Sequence, residues 1–151
     1  MPFINSWIHF VWSTKNRLPY LQKEILNKMI FHIKDYGVNK DIYIDFVNGH
    51  FDHIHMLVSM KADQSISEIA QKIKGESSYW INKNSLTGIK FGWQNEYYAV
   101  SISSGDIHEV REYIRNQEKH HKNKTYDEEI EELQRDFNFQ CSGFKPNVNY
   151  E

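Results

Sequence analysis

Residues 50–60, HFDHIHMLVSM, hold three histidines, and His53 and His55 are separated by one apolar residue. Strand side chains alternate between faces, so in an extended segment both imidazoles point the same way, ~7 Å apart. Two neutral imidazoles on a rigid support can grip one divalent metal ion. The pair is not sufficient alone. His-x-His equally suits solvated or core histidines on a sheet, and a third ligand must come from elsewhere. Ile54, Met56, Val58 and Met60 fall on the opposite side together with Asp52, and that side reads as the core face.

A second candidate group lies some sixty residues on. Tyr113 and Gln117 are four residues apart in HEVREYIRNQEKHH, so on a helix they share one face. A tyrosine beside a divalent ion can attack a phosphodiester, the ion polarising the scissile phosphate. The amide oxygen of Gln117 can complete the shell of a hard cation. The competing reading is an amphipathic helix whose tyrosine only packs. Two other histidine chemistries are excluded. Histidine-triad nucleotide hydrolases need a third histidine where Leu57 stands, and two-histidine phosphoesterases need a second His-x-Ser/Thr motif, which HKN at 121–123 does not supply.

The elements that must carry these residues follow from periodicity. Residues 3–13 are aromatic and β-branched and read as a strand. Residues 21–36 place Ile25, Met29 and Ile33, with Leu26 and Ile30, at helical spacing, and Gly37 reads as the C-cap. Residues 41–48 alternate as a strand, NGHFD (48–52) signals a hairpin, and 53–60 is the return strand. Ser65 and Glu68 form a capping-box pattern opening a helix over 65–83. A strand over 96–103 and a helix over 104–122 follow. The order strand, helix, strand, strand, helix, strand predicts an α+β fold: a ferredoxin-like antiparallel β-sheet with helices on one face and the catalytic helix near the C-terminus. The other sheet face is expected to be free for a partner or for chemistry.

At 151 residues with 40% apolar and 25% charged residues, the chain fits one packed domain rather than a disordered one. One cysteine, Cys141, excludes an internal disulfide framework and suits a reducing compartment. There is no signal-peptide pattern and no apolar run near the ~20 residues of a membrane span, so the expectation is a cytoplasmic protein without membrane contact. The net charge is −2, but residues 127–136, DEEIEELQRD, carry −5, leaving +3 on the rest. Lys15 and Arg17, and Lys72 and Lys74, are therefore candidate phosphate contacts, although single surface lysines usually have no such role. Trp7, Trp12, Trp80 and Trp93 can stack bases or fill a core. His120 and His121 are expected to face solvent or phosphate rather than metal.

The ordered blocks HFVWSTKNR, DHIHMLVS, KIKGESS, WQNEYYAVS and YIRNQEKHH resemble the single-tyrosine HUH transposases of small bacterial insertion sequences, HUH standing for His, hydrophobe, His. The resemblance covers about residues 3–122 and implies a transposase domain over 1–125, followed by an acidic C-terminal tail over 126–151 that matches none of these blocks. It implies that His53, His55 and Gln117 hold Mg²⁺ or Mn²⁺ and that Tyr113 is the nucleophile. Attack on a DNA phosphate forms a 5′-phosphotyrosine and frees a 3′-hydroxyl, and a second 3′-hydroxyl then rejoins the DNA without ATP. It further implies single-stranded DNA with hairpin element ends as substrate, and a homodimer in which the tyrosine helix of one subunit can complete the other's histidine site. Two alternatives remain at this level: a domesticated relative acting on repeated extragenic palindromes, and a non-enzymatic single-strand-binding module on the same sheet.

Overall fold

The computed structural model describes residues 2–121 and 124–137. Among these residues, strands and α-helices follow in the order β1 (Ser6–Ser13), α1 (Lys23–Asn39), β2 (Tyr43–His50), β3 (His53–Met60), α2 (Ile66–Lys83), β4 (Tyr98–Ile102), α3 (Ile107–Arg115), α4 (Gln117–His120) and α5 (Tyr126–Phe137). The four strands form one antiparallel sheet in the order β2-β3-β1-β4, with β1 and β3 central. This is the α+β ferredoxin-like arrangement the element order predicts. Cys141 and the rest of the tail beyond Phe137 lie outside the described residues, and no helix among the described residues is long and apolar enough to cross a membrane.

Alternation along the two central strands assigns the faces. Ile8, Phe10 and Trp12 of β1 and Ile54, Met56 and Val58 of β3 pack with Leu26, Met29 and Ile33 of α1 and Ile69, Ile73 and Ile81 of α2. Each buried Leu, Ile or Met there removes roughly 1.5–3 kcal/mol worth of apolar surface from water. The capping signal at Ser65 is real: its side chain accepts from the Glu68 backbone N–H at 3.2 Å. Gly37 does not end α1, which continues to Asn39. Its role is close approach, because a Cβ there would stand 2.7 Å from Ile44 Cδ1 and 3.0 Å from the Ile42 carbonyl.

The second face is not free. Leu57, Ile102, Val110 and Ile114 form one small core beneath α3, and Val11, Ile130 and Leu133 form another beneath α5. The acidic segment is thus amphipathic: four of its carboxylates face solvent or lie at the rim, while Ile130 and Leu133 dock on the sheet. Sequence alternation identified the face of β3 that carries the histidines; it did not reveal that three helices cover it.

The helix expected over 104–122 is interrupted. Residues 104–106 form a 3₁₀ turn, α3 ends at Arg115, and Asn116 (φ −93°, ψ 24°) separates it from α4. Two contacts from β2 fix α3. A bulge between Ile44 and Phe46 frees Asp45, whose two carboxylate oxygens accept from Arg111 Nε at 2.6 Å and Nη2 at 2.7 Å. Asn48 Nδ2 donates to the carbonyls of Ile114 (3.0 Å) and Arg115 (3.2 Å), which satisfies the end of the helix.

Candidate metal centre and tyrosine

His53 and His55 are both fully buried on β3. Their Nε2 atoms converge on the carboxylate of Glu129 from α5: His55 Nε2 abuts Oε1, and His53 Nε2 lies 3.4 Å from Oε2. Ligand atoms of His53, His55 and Glu129 all lie within 4.8 Å of one another. Gln117 opens α4 and is also fully buried, its Oε1 3.2 Å from His53 Nε2. His121 Nε2 abuts Glu129 Oε2, while its Nδ1 lies 2.9 Å from the Lys124 carbonyl oxygen. His121 is thus turned into the centre, against the expectation that it faces solvent or phosphate. The side chain of His120 lies outside what is described.

The outer nitrogens are held as well. Asp52 Oδ1 lies 2.7 Å from His53 Nδ1. Asp52 belongs to the hairpin turn and not to the strand, so the alternation that put it on the far face does not apply, and its carboxylate reaches back to its neighbour. A Cβ at Gly49 would collide with the His53 carbonyl, so the hairpin closes tightly enough to fix that histidine only with glycine there.

Tyr113, on α3, meets the same group from the side. Its ring lies edge-on to His55 with centroids 5.7 Å apart, and Gln117 Nε2 lies 3.4 Å from the Tyr113 backbone carbonyl. The four residues singled out from spacing therefore meet in one place within one chain. The sequence reading missed Glu129. Its signal was an acid flanked by Ile130 and followed by Leu133 at helical spacing, hidden inside a run that looked like a solvated tail.

The ionisable groups at the centre shift one another. Burial works to raise the Glu129 carboxyl, but His55, His121 and His53 outweigh it and hold it far below the ordinary range. Burial likewise works to lower His53; hydrogen bonds to Asp52 and Glu129 overcome that and raise it to about 9. His55 is lowered, by burial that Glu129 only partly offsets. The Tyr113 hydroxyl is pushed up strongly, first by burial and then by the Glu129 charge.

The donor set fits a divalent cation. Among buried side-chain atoms without a hydrogen-bond partner of normal geometry are His55 Nε2, His121 Nε2 and both oxygens of Glu129. Buried polar atoms are rarely left so. Two imidazole nitrogens, a carboxylate and a nearby amide oxygen form a mixed N/O shell of the kind divalent metals take.

The proposed phosphate contacts divide. Arg17 pairs with Asp127 of α5 and lies over the Tyr126 ring at 5.6 Å. Lys74 is half-buried and donates to the carbonyls of Gln94 (2.6 Å) and Asn95 (3.0 Å), holding the loop before β4. The Lys15 backbone N–H donates to the Gly92 carbonyl at 2.9 Å. Lys72 is exposed on α2. Of the tryptophans, Trp12 is fully buried, and Trp80 and Trp93 pack against the same core.

The fold has counterparts among solved transposases. A crystal structure of a candidate transposase from Deinococcus radiodurans superposes with a TM-score of 0.61 at 18% identity, covering 78% of this chain and 95% of that one. A REP-associated tyrosine transposase bound to a REP hairpin gives 0.58 at 18% identity, covering 80% of this chain and 72% of that one. These define the fold. The chain itself belongs to the IS200-like transposase family, whose family model matches residues 3–117. It is 24% identical over 115 residues to the ISDra2 transposase TnpA of Deinococcus radiodurans, across 72% of this chain and 81% of that protein.

Proposed function

We propose that this transposase cleaves and rejoins single-stranded DNA through a 5′-phosphotyrosine, with Tyr113 as nucleophile and a divalent cation held by His53, His55 and Glu129, Gln117 lying alongside. The observation that carries the reading is the convergence of a half-buried tyrosine, two imidazoles and a carboxylate at one point in a chain of this family. Mg²⁺ or Mn²⁺ bound there supplies Lewis-acid polarisation of the scissile phosphate. Tyr113 Oη attacks phosphorus, the bond to the 3′-oxygen breaks, and that oxygen leaves as a 3′-hydroxyl. The proton that Tyr113 gives up is matched by the one that the leaving 3′-oxygen takes, so the step balances. In the reverse step an incoming 3′-hydroxyl displaces Tyr113.

Both imidazoles are fully buried, so a phosphodiester reaches them only when the helices covering that face shift. Asp127 occupies Arg17 as a backbone phosphate would, and exchange of one anion for the other frees Arg17 for DNA. Because Tyr113 and His55 meet within one chain, cleavage in this reading does not depend on the homodimer that the resemblance implies. A hairpin substrate is favoured by the likeness to a transposase solved with one.

The test uses single-stranded oligonucleotides carrying the palindromes that flank the gene, incubated with Mg²⁺ or Mn²⁺. A covalent protein–DNA adduct that disappears with EDTA is expected. DNA binding without any adduct, under either metal, rejects the enzymatic reading in favour of a binding module.

A further inference from the structure

We propose that His9 is a positioning residue of the metal centre, its Nε2 accepting from His55 Nδ1–H so that the lone pair on His55 Nε2 faces Glu129. The inference rests on the metal-centre reading above and adds a residue that neither the motif blocks nor the family match assigns a role.

The geometry starts from the register of β1 on β3. Val11 pairs with His55 and His9 with Leu57, so His9 stands on the histidine face, diagonal to His55. His9 is 1% exposed. Its Nε2 lies 2.9 Å from His55 Nδ1, with the two rings stacked at 5.2 Å and inclined by 26°. A histidine in a strand otherwise occupied by Ile8, Phe10, Val11 and Trp12 costs desolvation unless its nitrogens are used.

The partner position also matches a neighbour. Metal-binding histidines almost always donate their second ring N–H to a nearby acceptor, which fixes tautomer and ring angle. His53 has Asp52 at its Nδ1, 2.7 Å away. Among the described residues, no carboxylate pairs with His55 Nδ1; His9 stands there instead. A neutral imidazole has one N–H and one lone pair, so only one tautomer of His9 can accept, and that tautomer leaves His55 Nε2 bare. The two ligands are thus oriented by unlike partners, an anion for His53 and a neutral ring for His55.

Two substitutions separate orientation from packing. In His9→Gln the amide oxygen stands near the place of the imidazole Nε2 and still accepts. In His9→Leu the volume remains and the acceptor is gone. Mn²⁺ affinity, read from the free-ion EPR signal, is expected to fall roughly 10–100-fold in His9→Leu and to stay close to wild type in His9→Gln. Circular dichroism melts of the metal-free proteins check that both fold. Equal affinity in wild type and His9→Leu overturns the inference, and so does an equal loss in both variants, which marks His9 as packing only. If wild type itself binds no Mn²⁺, the metal-centre reading falls and this inference with it.

Should His9→Leu fail to fold, two-bond ¹H–¹⁵N spectra of Zn²⁺-loaded wild type decide the matter. A proton on His55 Nδ1 supports the role of His9. A proton on His55 Nε2 overturns it.

Discussion

On one face of β3, Ile54, Met56 and Val58 are buried by α1 and α2 against hydrocarbon. On the other, His53 and His55 are buried just as fully, but against Gln117, Glu129 and each other. The first face needs only volume and shape, and many apolar residues would serve. The second needs each polar atom to find its opposite, because an unpaired buried group costs ~1–3 kcal/mol. Burial alone therefore does not distinguish a core from a site. The partners do.

The sharpest way to break this comparison is to change chemistry without changing volume. Tyr113→Phe should leave the fold and metal binding intact and lower adduct formation by at least about 10³-fold, as loss of a nucleophile does elsewhere. A retained adduct on a denaturing gel would remove Tyr113 from its role. On the opposite face the effects should reverse. Met56→Ala should cost about 2–5 kcal/mol in urea unfolding, while adduct yield per folded molecule stays at the wild-type level.

These contrasts also mark what the chain made legible. The alternation of Ile54, Met56 and Val58 with His53 and His55 is a local pattern, so the strand and its two faces could be read directly. The spacing of Tyr113 and Gln117 is equally local, and both residues do reach the pair. Glu129 and His9 were not legible, because they meet His55 only through a docked helix and a cross-strand register, neither of which a linear pattern contains. Arg17 and Lys74 teach the converse: their charge was visible, but not that Asp127 and two backbone carbonyls already engage them.

A third test uses pH on the metal-free protein. His53 is raised from 6.5 in the unfolded chain to about 9 in the fold, so its protonation stabilises fully below about 6.5 and is lost as pH rises through 9. Over that window Glu129 stays ionised and His55 stays neutral, their shifts being downward. In EDTA, stability should therefore fall by up to about 3 kcal/mol between pH 6.5 and 9.5. A flat profile in thermal melts would show that the polar face does not hold a charged His53.

The smallest expected effect concerns the strand that carries α3. Asn48→Ala leaves the carbonyls of Ile114 and Arg115 without their donor and should cost about 1 kcal/mol. Adduct yield should drop more than this stability loss explains, since the same clamp sets where Tyr113 stands. Chemical denaturation and the oligonucleotide assay, run on one preparation, separate the two.

The interruption at Asn116 bears on how such a centre can diversify. A continuous helix would lock Tyr113 and Gln117 into one rigid phase, so any rotation that improved one would displace the other. Here Tyr113 is anchored through Arg111 and Asn48 to an edge strand, while Gln117 begins a new helical segment whose direction is set separately. Tyr113 and Gln117 are consequently positioned independently of each other. Substitutions around residues 117–121 can retune the surroundings of the histidine pair while the Tyr113 hydroxyl keeps its address.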